Sequence, residues 1–226
     1  MKLFDKHNIL VNLGSMSRID LELGCGSAKT NLHAIGIDIL DYPCVDLVGD
    51  VYEALSLFPS QSVDAVYSSH FIEHIPDVSN LMTELGRVVK FGGLVEFFAP
   101  HFSNPYFYSD LTHRSFFGLY TFCYLADVSP FKRKVPTYGN NAKFGIVSVD
   151  LIFKSPRPFV IRYGIKNLFG KFFNSCTYLK ELYEENLCYI FPCYEIRYIL
   201  IRHRDMKSDD TVVENVESAL GVISHE

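Results

Sequence analysis

Glu22-Leu-Gly-Cys-Gly26 is the first stretch of the chain whose residue types and spacing suit chemistry. Two glycines one residue apart, directly after an apolar run, let the backbone turn sharply and admit a ligand with no side chain in the way. Alone they mark only a tight turn. Asp38 and Asp50 follow, each at the end of a segment with strand character. In an open parallel sheet, ligands sit outside the carboxyl ends of the strands. Asp38 can there accept hydrogen bonds from ribose hydroxyls, and Asp50 can face an adenine amino group. Glu22 can hold the loop or reach a cationic amino-acid group. A single strand-end aspartate is more often a turn or helix cap. Three acids in this order, around a glycine loop, point to an adenosine-containing ligand.

A second group of residues suits proton transfer. A general base near neutral pH is most simply a histidine, sometimes oriented by a carboxylate. His101 follows the fifth predicted strand and His70 the fourth, both on the ligand edge. His113 lies in Asp110-Leu-Thr-His-Arg114, where Asp110 can orient it and Arg114 can bind an acidic acceptor group. The alternative is that Asp110 and Thr112 cap a turn while His113 and Arg114 pack. His74, beside Glu73, is expected to tie down the loop before Pro76. Adjacent Glu-His is no metal spacing, and none of the six cysteines forms a CxxC pair, so no metal is expected. Lys132-Arg-Lys134 reads as a solvated basic run, with a phosphate partner as the other reading.

These residues need a scaffold, and the chain supplies one. Residues 19–23, 35–39, 45–48, 63–67 and 94–99 read as strands. Between Asp77 and Lys90, Leu81, Leu85, Val88 and Val89 recur at helical spacing, with Gly92-Gly93 as the expected stop. Alternating strands and helices imply a parallel sheet covered on both faces. Only nine residues separate Gly26 from Gly36, so the first crossover helix must be shortened or replaced by a loop. Residues 101–143 are aromatic and aperiodic, and read as a lid or insertion. A strand over 146–153, helical character over 161–189 and a last strand over 195–201 complete the chain. Ordinary packing is the expected fate of the aromatics in the lid and between Phe169 and Ile190, with a sugar-stacking or membrane-facing role as the lesser reading.

The successive motifs Glu22-Leu-Gly-Cys-Gly26, Gly36-Ile-Asp38, Gly49-Asp50, Asp64-Ala-Val-Tyr-Ser-Ser-His-Phe-Ile-Glu-His74 and Leu85-Gly-Arg-Val-Val-Lys-Phe-Gly-Gly93 resemble those of class I S-adenosylmethionine-dependent methyltransferases. The resemblance spans roughly the first hundred residues in order. It implies a Rossmann-like α/β sheet, mostly parallel, of seven strands with the last antiparallel. It also implies that S-adenosyl-L-methionine binds at Glu22, Gly24, Cys25 and Gly26, at Asp38 and Ile39, at Gly49, Asp50 and Val51, and at Ser68 and Ser69. The truncated first helix departs from the family, as does Phe91 where proline is common. The short loop, His101-Phe-Ser-Asn-Pro-Tyr, Asp110-Leu-Thr-His-Arg114 and the ending Phe191-Pro-Cys-Tyr-Glu-Ile-Arg197 look like the type-11 methyltransferases associated with bacterial surface-polysaccharide biosynthesis. That likeness implies O-methylation of a sugar, glycan precursor or other small polar acceptor, held by Arg114, Tyr106 and Tyr108.

Composition sets the outer bounds. A hydrophobic fraction of 48% against 21% charged residues is that of a globular chain, and 226 residues suit one domain. Residues 1–204 are expected to form it, with an acidic and mobile tail over 205–226. Six of the 26 acids lie in that tail with one base, which leaves the body balanced at 20 of each. A neutral body lacks the basic footprint of a nucleic-acid binder. No apolar run is long enough to span a membrane, and the start lacks a signal-peptide pattern, so a cytoplasmic location is expected. Two rivals remain. Asp38 would also suit a nicotinamide-dependent oxidoreductase, but Lys29 stands where the third glycine of that fingerprint would fall. A non-catalytic S-adenosylmethionine-binding protein is the other, and the His- and Asp-rich lid argues against it.

Overall fold

The computed structural model describes residues 3–137, 144–155 and 158–203. Its backbone is one eight-stranded sheet. The strands are β1 (Phe4–Asp5), β2 (Asp20–Leu23), β3 (Ile35–Asp38), β4 (Leu47–Val48), β5 (Val63–Ser69), β6 (Val89–Pro100), β7 (Phe144–Ile152) and β8 (Glu195–Arg202). They run in the order β1-β4-β3-β2-β5-β6-β8-β7. Pairings from β4 through to β6 are parallel. β8 is antiparallel to both of its neighbours, as expected of the last strand. The strand count is eight rather than seven because Phe4 and Asp5 pair antiparallel with β4 and extend that edge.

After β2 the chain steps to β3 on one side, whereas β5 lies on the other. The reversal of strand order therefore falls between β2 and β5, the place where open α/β sheets receive ligands. Leu21, Leu23, Ile37, Val66 and Val95 in the central strands are buried, as a sheet covered on both faces requires.

Helices α1 (Ile9–Asn12), α2 (Val51–Ser56), α3 (Val78–Val88), α4 (Val160–Phe173) and α5 (Thr177–Asn186) pack around the sheet. α3 forms where the apolar spacing placed it and buries Leu81, Met82, Leu85, Gly86 and Val88. Its end differs from expectation. Gly92 and Gly93 do not cap it; the strand β6 begins at Val89 and runs through them. The pairing of β5 with β6 slips between Val63 and Ala65, and Gly92 takes φ +80° beside that irregularity. A Cβ on Gly93 would stand 2.9 Å from the Asp64 carbonyl, so close backbone approach explains that glycine.

The segment after β6 holds two short 3₁₀ turns, Phe107–Ser109 and Thr121–Tyr124. Its second half is core: Phe117, Leu119, Phe122, Cys123 and Phe131 are buried. Its last residues, 138–143, lie outside the described residues, as does the 205–226 tail. The helical stretch after β7 is two helices, broken at Asn174, whose side chain exchanges hydrogen bonds with the Leu151 backbone. Lys180 ties α5 to β7 through the Val149 carbonyl.

Candidate functional site

The glycine loop leaves β2 at Leu23. Gly24 and Gly26 have φ of +64° and +56°, the left-handed region that glycine enters without strain. A Cβ on Gly24 would meet the Phe71 ring at 2.3 Å, whereas none of the described atoms lies within 4 Å of the corresponding position on Gly26. One glycine admits a neighbouring ring and the other leaves open space. The missing crossover helix is replaced by a loop over residues 24–34. The Glu22 carboxylate, buried, accepts from the backbone N–H groups of Thr30 and Asn31 and from the Thr30 hydroxyl. Of its two suggested roles, the structure shows the loop-holding one.

Lys29, which in the sequence only marks the place of an absent third glycine, closes the same loop. Its ammonium donates to the Ala34 carbonyl at 2.8 Å and pairs with Asp46, whose carboxylate also accepts from the Gly36 N–H. A Cβ on Gly36 would lie 2.6 Å from the Lys29 chain, which is why a glycine stands there. Only the fold brings Asp46 to Lys29.

Asp38 ends β3, half-buried. One carboxylate oxygen accepts from Gly26 N–H at 2.8 Å and the other from Leu40 N–H at 2.8 Å. Each oxygen retains a further lone pair. Ile39, next along, is 58% exposed, an apolar surface beside the acid. Asp50 caps α2 through one oxygen, which accepts from Tyr52 and Glu53 N–H. Gly49 donates its N–H to the Asp38 carbonyl and carries Leu3 packed over it. Val51, the first residue of α2, is buried in the hydrophobic core. Burial pushes the Cys25 thiol up to about 12, so it stays a neutral thiol. Ser68, at the end of β5 and in register with Leu23, is buried with its hydroxyl unpartnered. Ser69 follows it, half-buried.

The histidines separate sharply. His101 has no exposed surface. Its Nδ1 accepts from the Ser103 N–H, and its Nε2 faces Glu184 at 3.1 Å. Glu184 also accepts from Leu119 N–H, so the histidine pins the segment after β6 onto α5. Sealed and hydrogen-bonded at both nitrogens, it is out of reach of an acceptor. His70 sits at φ +54°, with Nε2 2.9 Å from the buried Glu195 and Nδ1 3.5 Å from the buried Glu73. Hydrogen bonds to Glu195 and Glu73 raise its pKa to about 9 against the opposing effect of burial. At neutral pH it is an imidazolium and takes no further proton. His113 donates from Nδ1 to the Phe107 carbonyl and lies 3.6 Å from Asp110, the carboxylate expected to orient it. Asp110 also accepts from the N–H and hydroxyl of Thr112, so the capping role is present as well. Arg114 is exposed and donates its backbone N–H to the Glu73 carbonyl.

Tyr106 and Tyr108 are 60% and 62% exposed. Tyr108 donates to the Phe102 carbonyl. Tyr106 stands on a cavity of about 250 Å³ whose wall is mostly apolar, with Phe153, Ile165, Phe169 and Phe191, and which also carries Lys154, Arg162 and Lys166. Lys154 pairs with Glu195, the residue that holds His70. The cavity therefore adjoins the His70 end of the site.

Residues 21–97 match a methyltransferase domain. The match begins in β2 and ends in β6, so it takes in the glycine loop, Asp38, Asp50 and the end of β5 with His70, about a third of the chain. No curated protein matches the sequence. Among solved structures, an S-adenosylmethionine-dependent methyltransferase from Archaeoglobus fulgidus aligns with 15% identity and a TM-score of 0.49, covering 86% of this chain and 93% of that one. A Mesorhizobium loti methyltransferase aligns at 15% identity and 0.44, covering 88% and 99%. The Haemonchus contortus phosphoethanolamine N-methyltransferase 2, in complex with S-adenosyl-L-methionine, aligns at 16% and 0.46, covering 87% of this chain and 52% of that one. The matched segment thus takes in five of the eight strands, β2 to β6, those that carry the glycine loop and the strand-end acids.

Proposed function

We propose that this chain is an S-adenosyl-L-methionine-dependent methyltransferase that transfers the methyl group to an oxygen of a sugar, glycan precursor or other small polar acceptor. The observation that carries the cofactor reading is the placement of Gly24, Gly26, Asp38 and Asp50 along one edge of the sheet where strand order reverses, inside the segment that matches a methyltransferase domain. The residues suit the group. The position above Gly26 is open, the Ser68 hydroxyl is buried without a partner, and Asp38 retains lone pairs beside the exposed face of Ile39. Asp38 would accept from the ribose hydroxyls, with the adenine against Ile39 and within reach of the second Asp50 oxygen. Glu22 and Lys29 act indirectly, by holding the loop that the missing helix would otherwise have fixed.

When bound, the cofactor supplies an electrophilic methyl on a sulfonium. The chain's own task is to place an acceptor oxygen in line with it and to let that oxygen lose its proton. Of the three histidines expected to act as a base, His70, His101 and His113, it is His113 whose hydrogen bonds leave a nitrogen unspent, the Nε2 that stands 3.6 Å from Asp110. The cavity beside Tyr106 is walled mainly by apolar side chains, Phe153, Ile165, Phe169 and Phe191 among them, with Arg162 and Lys166 as cations at its wall, which supports an acceptor that joins an apolar face to a hydroxyl or anionic group. A labelled-methyl assay over nucleotide sugars and glycans tests this. Transfer to a hydroxyl, lowered at least tenfold by His113→Ala, is the expected result. Transfer to nitrogen or sulfur acceptors alone would overturn the oxygen assignment.

A further inference from the structure

We propose that Glu73, His74 and His113 form a binding site for a divalent transition-metal ion on the acceptor side of the sheet. One ligand atom from each of the three residues lies within 4.8 Å of the other two. The first two residues sit in the 3₁₀ turn after β5 (Ile72–His74), and the third comes from the segment after β6. The turn and that segment are locked together, because the Glu73 carbonyl accepts from both Arg114 and Ser115 N–H. That contact sets the His113 ring beside the His74 ring, with centroids 5.0 Å apart.

The hydrogen bonds around the cluster prepare it for a cation. Thr112 donates its hydroxyl to Asp110, so the same oxygen must accept from His74 Nδ1–H. His113 Nδ1–H donates to the Phe107 carbonyl. In the neutral form both rings thereby keep their lone pair on Nε2, the form in which imidazole binds metals, and on His113 that nitrogen stands 3.6 Å from Asp110 Oδ2, a further oxygen beside the cluster. An imidazole whose other nitrogen donates to a carbonyl or to a carboxylate-linked group is the usual metal-ligand arrangement.

The independent observation is on the third residue. Glu73 is 1% exposed, and its Oε2 is buried without a hydrogen-bond partner. A buried carboxylate oxygen left unpaired is costly, and a cation satisfies it. Two imidazoles and one carboxylate, half-open to solvent, suit zinc, cobalt, manganese or ferrous ion and leave coordination positions for water or an acceptor oxygen. Oxygen- and water-loving magnesium is a poorer match for two imidazoles. A cation bound here would take up the His113 Nε2 lone pair, so in place of His113 as a base it would polarise an acceptor hydroxyl near the His70 end of the site and let that hydroxyl lose its proton to solvent. That catalytic use rests on the transferase reading; the binding itself does not.

Cobalt(II), titrated into the metal-stripped full-length protein and followed by its visible absorption, tests the site directly. We expect one equivalent to give a saturable spectrum, with affinity lowered at least tenfold by His113→Ala and by His74→Gln. The exposed His33→Ala serves as a control for adventitious surface binding and should leave the titration unchanged. Circular dichroism of each variant identifies any that fails to fold, and the remaining variant then carries the comparison. Absence of a saturable spectrum would overturn the proposal. So would a titration unaffected by the His113 and His74 substitutions, or one equally weakened by His33→Ala. Cobalt binding in a protein that fails to bind S-adenosylmethionine would leave the cation site standing and refute the transferase reading instead.

Discussion

Helices α3 and α4 have similar claims to the core on sequence alone, yet they have opposite fates. α3 turns Leu81, Met82, Leu85 and Val88 into the sheet and leaves its polar residues outside. α4 buries only Phe173 and exposes Val160, Ile161, Tyr163, Ile165, Leu168 and Phe172, among Arg162, Lys166 and Lys171. The expectation that the aromatic stretch from Phe169 to Ile190 would pack inward is met at Phe173 and Tyr183 and fails at Phe172, Tyr178, Tyr189 and Ile190. The difference lies in distribution. α3 segregates its apolar residues on one stripe, whereas α4 spreads them around the helix, so one buried stripe cannot use them all. Apolar content identifies a helix; only its arrangement says how much of that helix the core will take.

The largest expected effect lies in α3. Leu85→Ala should cost about 2–5 kcal/mol, because a fully buried side chain leaves a cavity. Denaturant midpoints measure it, and a cost near zero would erase the contrast with α4. Gly24→Ala should come next, at about 2–4 kcal/mol, from left-handed strain and the collision with Phe71 together. Cofactor binding should be lost with it.

His101→Ala sharpens the comparison at the junction of sheet and cover. It should cost about 1–3 kcal/mol by leaving Ser103 and Glu184 without their partner. Activity should fall only with the folded fraction. A large fall in kcat at unchanged stability would instead restore His101 as a catalytic residue.

A smaller effect is expected at Asp64. Burial works to raise its pKa, but the hydrogen bonds from Lys90 and from Ile19 N–H outweigh that and hold it below the usual carboxylate value. A depressed folded-state pKa contributes stability that is present above the unfolded value and lost as pH falls through the folded one. Asp64→Asn should therefore remove a part of the acid sensitivity below about pH 4, worth less than about 1 kcal/mol for a pair this exposed. Leu168→Asp on α4 should do least, within about 0.5 kcal/mol, since its side chain already faces solvent.

Much of the sheet was legible because strand ends, glycines and acids coincide in Glu22–Gly26, Gly36–Asp38 and Gly49–Asp50. The parts that were not legible depend on partners distant in sequence. β1 is two residues long and exists only because β4 offers it an edge. Gly92-Gly93 looks like a helix stop, but a strand irregularity and close backbone approach use the same residue. His101 is polar in sequence and buried in space, because Ser103 and Glu184 satisfy it. Lys29 acquires its role from Asp46, and the Glu73-His74 pair acquires His113 from a segment 39 residues further on. No spacing rule within one motif reveals such a neighbour.

The glycine loop and its strand-end acids carry the central claim, and calorimetry tests it most directly. The full-length protein should bind S-adenosyl-L-methionine and S-adenosylhomocysteine at one site, with Asp38→Ala weakening both about tenfold or more, the loss of roughly one hydrogen bond to a charged group. Binding of NAD with no response to either adenosyl ligand would contradict the account.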